Sequence, residues 1–332
     1  MVQTNEKPVR HKITFARSAW ISFTAVLMLI TVGGLVRATG AGLGCPDWPT
    51  CWGCWFPPTS IEAIPSVSDE EGNKFFKDKK GKLHPIEDFD LGEMWIEYLN
   101  RMLGVIIGLL IMGTFWFSIR LRKTDPLLFS GSLAALILVI VEGWLGAMVV
   151  QSGLRPGLIT IHMLLAMILL CLLLGIARMA SKPSGRVATP SKLGKFMTFA
   201  VLLQIAVGTQ VREKVDPFIK DSQGLPREEW LERTGIAIDL HRTMSWLVVV
   251  ATVATWLSIR NDGKSREKLG LLGITLVLVQ VLIGLWLENF DLPPVSQVLH
   301  LTFGSMLICI SFCIGWPRTL SEKEVNQTTP TH

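Results

Sequence analysis

Long apolar windows separated by polar breaks dominate the pattern along this chain. Eight of them reach the roughly 20 residues that a helix rising 1.5 Å per residue needs to cross a bilayer core. They lie at about 18–36, 98–119, 128–150, 158–178, 194–211, 235–259, 269–287 and 295–316. Two of the polar breaks are too long to be turns, residues 37–97 after the first window and 212–234 after the fifth. The pattern predicts an all-α polytopic membrane protein with eight transmembrane helices.

The windows fall into two sets of four, because the chain contains one stretch twice. Leu138 to His162 matches Leu276 to His300 without a gap, through Val139/Val277, Val141/Val279, Gly146/Gly284, Leu154/Leu292, Pro156/Pro294 and His162/His300, with a polar residue in the apolar run at Glu142/Gln280. Gly, Pro and His in fixed register are hard to obtain from composition alone. Gly33-Gly34-Leu35-Val36-Arg37 and Gly208-Thr209-Gln210-Val211-Arg212 extend the duplication to the first and fifth windows, and Asn100-Arg101 falls where the second copy has His241-Arg242. An even number of spans per copy gives both the same orientation, unlike the inverted repeats of many transporters. The expectation is two tandem, parallel-related four-helix bundles, residues 1–192 and 193–332, with the glycines allowing close helix contact.

Composition agrees: 49% hydrophobic and 18% charged residues exclude an ordinary soluble domain. Charge then sets orientation. Eighteen Lys and Arg lie at the N-terminus, the C-terminal tail and the loops 119–127, 178–195 and 260–268, against twelve on the other side, five of those in one long acid-rich loop. By the positive-inside rule both termini face the cytoplasm. The first window is too long for a signal-peptide core and nothing resembles a transit peptide, so a bacterial plasma membrane is the simplest address. The net charge of +5 is answered by anionic lipid, and no basic block argues for nucleic acid.

In that topology residues 37–97 are external, where thiols oxidise. Ala38 to Gly44 is glycine-dense, but no strand precedes it and no Gly-Lys-Ser/Thr closes it, so it is not a phosphate loop. Cys45-Pro46-Asp47-Trp48-Pro49-Thr50-Cys51-Trp52-Gly53-Cys54 follows. Cys45 and Cys51, six apart across a Pro-bracketed turn, can reach disulfide distance. Cys54 competes with that pairing, and Cys51/Cys54 forms a Cys-x-x-Cys that reads generically as a redox or metal pair. Cys171, Cys309 and Cys313 lie in spans and read as inert core. Residues 57–92 read as a solvated insertion in which His84 is a surface residue.

A lone His in an apolar span is by default a packed residue, but three at coordinated positions call for a common cause. His162, His241 and His300 each fall in about the first two turns of an even-numbered helix, and every even-numbered helix starts on the outer face, so the three share one depth. Two imidazoles facing each other across a four-helix bundle sandwich a haem iron, and His241 with His300 makes such a pair. Zinc or copper would want further protein ligands, and the second half adds only Asp239. Haem supplies four nitrogens of its own. Arg101 and Arg242 then meet a propionate or snorkel to the headgroups, while Glu142 and Gln280 read as helix–helix hydrogen bonders.

On these residues the chain resembles the haem A synthase family, membrane enzymes of bacteria and mitochondria that convert haem O to haem A for terminal oxidases. The resemblance covers nearly all of it: eight spans in two halves, Cys45-Pro46-Asp47-Trp48-Pro49-x-Cys51 after the first span, Glu97-Tyr98 before the second, and His162, His241 and His300. It implies that His241 and His300 are the axial ligands of a haem b cofactor and that His162 faces the iron of the substrate haem. Glu97 is then the catalytic carboxylate and Cys45/Cys51 the loop disulfide. It implies stepwise oxidation of a ring methyl of haem O, at the outer side of the membrane, to a hydrate that loses water. The implied partners are haem O synthase as substrate donor and the assembly of terminal oxidase.

One position departs from the family. Its Glu-x-x-His pattern would place a ligand where this chain has Asn100, and an amide is a poor iron ligand. The first half should therefore offer one strong axial bond, from His162, with water near Asn100 and activity retained. The rival readings are a catalytically degenerate haem-binding relative, a haem b electron carrier, which gives Glu97 no role, and a haem or small-molecule transporter.

Overall fold

The computed structural model describes residues 6–181, 189–220, 233–290 and 292–317. It contains eight long helices: α1 Glu6–Ala38, α2 Leu91–Ser118, α3 Pro126–Gln151, α4 Pro156–Ala180, α5 Lys192–Lys220, α6 Ile236–Ile259, α7 Lys264–Asn289 and α8 Pro294–Gly315. Each is long and apolar enough to cross a membrane. Their starts are written locally: Pro stands in the first turn of α3, α4 and α8, where no N–H is missed. Asp90 caps α2 by accepting the Glu93 N–H at 2.8 Å. That cap starts α2 earlier than the apolar run alone indicates, so the segment between α1 and α2 ends at Asp90 and Glu97 sits on the helix.

Helix contacts close two rings. α1 and α3 each pack on α2 and α4, and α5 and α7 each pack on α6 and α8. The rings meet through α1–α8, α4–α5 and α4–α8. Since the duplication matches α1 with α5 and α4 with α8, the first two of these are counterparts, and each carries one threonine pair, Thr31–Thr302 at 3.0 Å and Thr160–Thr209 at 2.8 Å. One apolar core, including Phe15, Ala19, Leu170, Leu173, Ala177 and Met197, runs through the junction. Outward positions such as Ile137, Ile140 and Trp144 on α3 and Trp246, Val250 and Val253 on α6 are exposed, as lipid-facing side chains are. Gly194 and Gly315 bring α5 and α8 so close that a Cβ on Gly194 would lie 2.7 Å from a backbone nitrogen.

The duplication also shows in the backbone. Leu154 and Leu292, matched in sequence, both have positive φ, 62° and 54°, a conformation costing a non-glycine residue about 1–2 kcal/mol. Each N–H reaches back five residues, Leu154 to Val149 O at 2.9 Å and Leu292 to Leu287 O at 3.2 Å. Two residues later Pro156 and Pro294 open the next helix. The same turn therefore delivers His162 and His300 at the seventh position of α4 and α8.

The segment between α1 and α2 is not simply a solvated insertion. Val67–Ser68, Lys74–Lys77 and Leu83–Pro85 form an antiparallel three-stranded sheet, β1–β2–β3. Beneath it lies a second small core of Cys45, Cys51, Trp52, Ile64, Phe76, Ile86 and Met94. His84 belongs to β3, with its ring 3.4 Å from Asp78 and against Phe76, instead of standing free on the surface.

Candidate active site

The N-terminal end of α2 carries Glu97 and Arg101 on one face, one turn apart, and the cysteine loop is bound to them. Gly44 lies so close to α2 that a Cβ there would be 2.5 Å from the Glu93 backbone, and this approach brings the Cys45 N–H to Glu97 Oε2 at 2.8 Å. Arg101 donates to Glu97 Oε1 from Nε, at 3.1 Å, and from Nη2. It also donates to the carbonyls of Asp47 at 2.8 Å, Thr50 at 3.0 Å and Cys45 at 2.9 Å. Arg101 thus neither snorkels nor stands free for a propionate; it holds the loop. Cys45 and Cys51 form a disulfide with Cα atoms 4.7 Å apart, while Cys54 keeps its thiol and pairs with Cys51 through two backbone hydrogen bonds. Trp52 seals the loop by donating to Gly44 O at 2.8 Å.

Three residues on from Glu97, Asn100 has a buried Oδ1 without a hydrogen-bond partner among the described residues. In the same half His162 stands on α4 with its Nδ1 2.8 Å from Oε2 of Glu142 on α3. Glu142 is buried, whereas the imidazole is 38% exposed. Gly146, one turn along α3, gives the ring its seat: a Cβ there would lie 3.7 Å from His162 Cε1.

The second half repeats this plan with different partners. Gly284 seats His300, with a Cβ-to-Cε1 distance of 3.8 Å, and Gly208 seats His241 more tightly, at 3.1 Å. Gln204 donates to the His241 carbonyl at 3.0 Å and lies 3.2 Å from its Nδ1. Gln280 donates to the His300 carbonyl at 2.7 Å. The rings of His241 and His300 face each other with centroids 6.3 Å apart. A metal bonded at about 2 Å to one nitrogen of each ring, itself about 1.1 Å from the ring centre, sets the centres about 6 Å apart. The spacing of the two rings is therefore that of two imidazoles sharing a single ion. Arg242 is occupied by Glu288 at 2.6 Å.

The structure therefore brings the sequence candidates together in two groups, Glu97, Asn100 and the cysteine loop on α2, and the facing pair His241/His300, with His162 seated separately on Glu142 and Gly146. Sequence reading passed over Gln204 altogether, and it took Gly208 for a helix contact, whereas Gly208 lies against the imidazole of His241, as Gly146 does against His162 and Gly284 against His300. The signal was present for Gly208, whose match in the duplication, Gly33, goes with Asn100 instead of a histidine; a Cβ on Gly33 would meet nothing within 4 Å.

The chain is similar to proteins named heme A synthase from Shewanella oneidensis, 23% identical over 92% of this chain and 98% of that one, and from Orientia tsutsugamushi strain Boryong, 26% identical over 89% and 94%. A third, from a Methylobacterium species (strain 4-46), is 27% identical over 88% of each chain. The family model described as cytochrome oxidase assembly protein, COX15-CtaA, matches residues 16–312. That match begins inside α1 and ends in the last turn of α8, so it takes in both rings and the loop between α1 and α2, and the chain belongs to this family.

Proposed function

We propose that this chain is a haem A synthase, which oxidises a ring methyl of haem O to the formyl group of haem A. The observation that carries the reading is the unequal pair of halves. One presents two imidazoles at single-metal distance; the other presents one imidazole, on Glu142 of α3, and α3 packs on the helix that carries Glu97 and Asn100. A permanent cofactor wants two strong ligands, and a substrate that must leave is better served by one. In this reading His241 and His300 hold a haem b, and the first half, residues 1–192, receives haem O on His162. Bound there, haem b supplies one-electron acceptance. Among the described residues no group of three or more His, Cys, Asp or Glu is arranged around a metal, which suits an iron that brings its own macrocycle.

Each oxidation of the methyl removes an electron pair and protons and adds oxygen from water, and the resulting hydrate loses water to give the aldehyde. Glu97 serves this chemistry through its free acceptor capacity. Oε1 accepts twice from Arg101 and Oε2 once from Cys45, which leaves one of the carboxylate's roughly four acceptor sites, on Oε2. That site can orient water and take its proton. The disulfide loop holds the carboxylate in place. Both termini lie in the cytoplasm and the loop outside, so haem O is handled at the outer leaflet, between a haem O synthase that supplies it and the oxidase that uses the product.

Membranes carrying the protein, supplied with haem O and an oxidant, are expected to yield haem A on pigment extraction. Ferric iron in the first half is expected to be high-spin or water-ligated, and Asn100→His to convert it to low-spin, since the space facing Gly33 is open for a ring. No haem A from the natural chain, with production restored in Asn100→His, would favour the degenerate-relative reading. The seat of His241 gives a smaller test. Gly208→Ala must displace the ring by a few tenths of an ångström and is expected to weaken haem b retention about tenfold. Gly284→Ala, an ordinary contact, should leave it unchanged.

A further inference from the structure

The two halves differ at a second matched pair, Glu142 on α3 and Gln280 on α7. Gln280 donates to a backbone carbonyl, that of His300, at 2.7 Å. Glu142 reaches a ring: its Oε2 lies 2.8 Å from Nδ1 of His162. A carboxylate inside a membrane span is expensive and is kept where it has a partner or a task. A helix–helix tie would need only the amide that the chain itself uses at Gln280. The half with the carboxylate is also the half that lacks a second imidazole at position 100.

We propose that Glu142 is the positioning residue for His162: it sets the tautomer and aim of the ring and strengthens the single axial bond to haem O. The inference rests on His162 being the ligand of haem O. An ionised carboxylate only accepts, so the nitrogen beside it, Nδ1, carries the proton, and Nε2 keeps the lone pair that binds iron. Such carboxylate backing raises the basicity of a ligating imidazole. The approach is short but is not an aligned hydrogen bond, and Nδ1 and Glu142 Oε1 are buried without one; for this role the ring of His162 must turn about its Cβ–Cγ bond to bring the Nδ1–H onto Oε2. Gly146 leaves room for that turn, since a Cβ there would still be 3.7 Å from Cε1. His300, with a neutral amide on its carbonyl and His241 opposite, needs no such support.

The test uses purified full-length protein containing its haem b, titrated with haem O and probed in the ferrous state by resonance Raman at the iron–histidine stretch, to which a six-coordinate haem b does not contribute. Glu142→Gln is expected to bind haem O about tenfold more weakly and to shift the band to lower frequency, with haem b absorption unchanged. Should Glu142→Gln lose haem b absorption, the readout passes to Glu142→Asp, which keeps the charge but withdraws it from the ring and should give the same downshift. Wild-type affinity and band position would overturn the inference. So would weaker binding with an unshifted band, which would make Glu142 a packing residue. His162→Ala separates the two claims. Undiminished haem O binding in that variant removes His162 as the ligand and the inference with it, whereas lost binding beside a silent Glu142→Gln removes the inference alone.

Discussion

Replacing either His241 or His300 by alanine is expected to strip the low-spin b-type absorption from the purified protein, while His162→Ala keeps it. The two rings stand 6.3 Å apart on α6 and α8, which lie opposite each other in their ring, so in the proposed site each would supply half of one coordination axis. Removing one leaves the iron a single strong ligand and a vacancy lined by Gly208 or Gly284, neither of which can donate. Both spin state and retention of the haem should change together. His162 sits on α4 of the other ring, on Glu142 and Gly146, and touches none of this. An unchanged low-spin spectrum in His300→Ala would remove the second-half site.

The spans and the histidines were legible in the sequence for the same reason. A bilayer demands uninterrupted apolar runs, and against such runs a repeated Gly, Pro and His stand out. The turn that sets the depth of His162 and His300 could be read as matched Leu-x-Pro, although nothing in the residue type announces that Leu154 and Leu292 take positive φ. The three-stranded sheet was hidden because its strands are only two to four residues long, and a Lys-Phe-Phe-Lys run within a charged segment gives too little alternation. The partners of Arg101 were hidden for a different reason: three are carbonyls of residues about fifty positions away, and backbone acceptors leave no trace in composition. Glu142 was visible as an anomaly in its span, but its contact with His162 depends on how α3 and α4 rotate against each other. Periodicity does not fix that rotation, and the seat at Gly146 does.

Glu97→Gln is expected to lower haem A formation by about 10²–10⁴-fold while haem b absorption and the loop stay as they are. The amide keeps the size of the carboxylate, and its oxygen can still accept from Cys45 N–H or Arg101. Arg101 retains its bonds to the carbonyls of Cys45, Asp47 and Thr50, so the loop stays on α2. What is lost is the charged acceptor on Oε2 that water would use. Arg101→Gln is the contrasting change. It strands the buried Glu97 charge, a loss of the order of 3–5 kcal/mol for a broken buried pair, and it releases three loop carbonyls at once. Its expected outcome is loss of activity together with rapid proteolysis of the segment between α1 and α2 and poor formation of the Cys45–Cys51 bond. Haem A yield, limited proteolysis and non-reducing peptide mapping on the two variants then distinguish chemistry from clamping. If Glu97→Gln makes haem A at the wild-type rate, Glu97 is only the anchor of Arg101. If it loses activity only along with the loop, the carboxylate acts through the fold of the cysteine segment, and the acceptor for water must be sought elsewhere at the cysteine-loop end of the first ring.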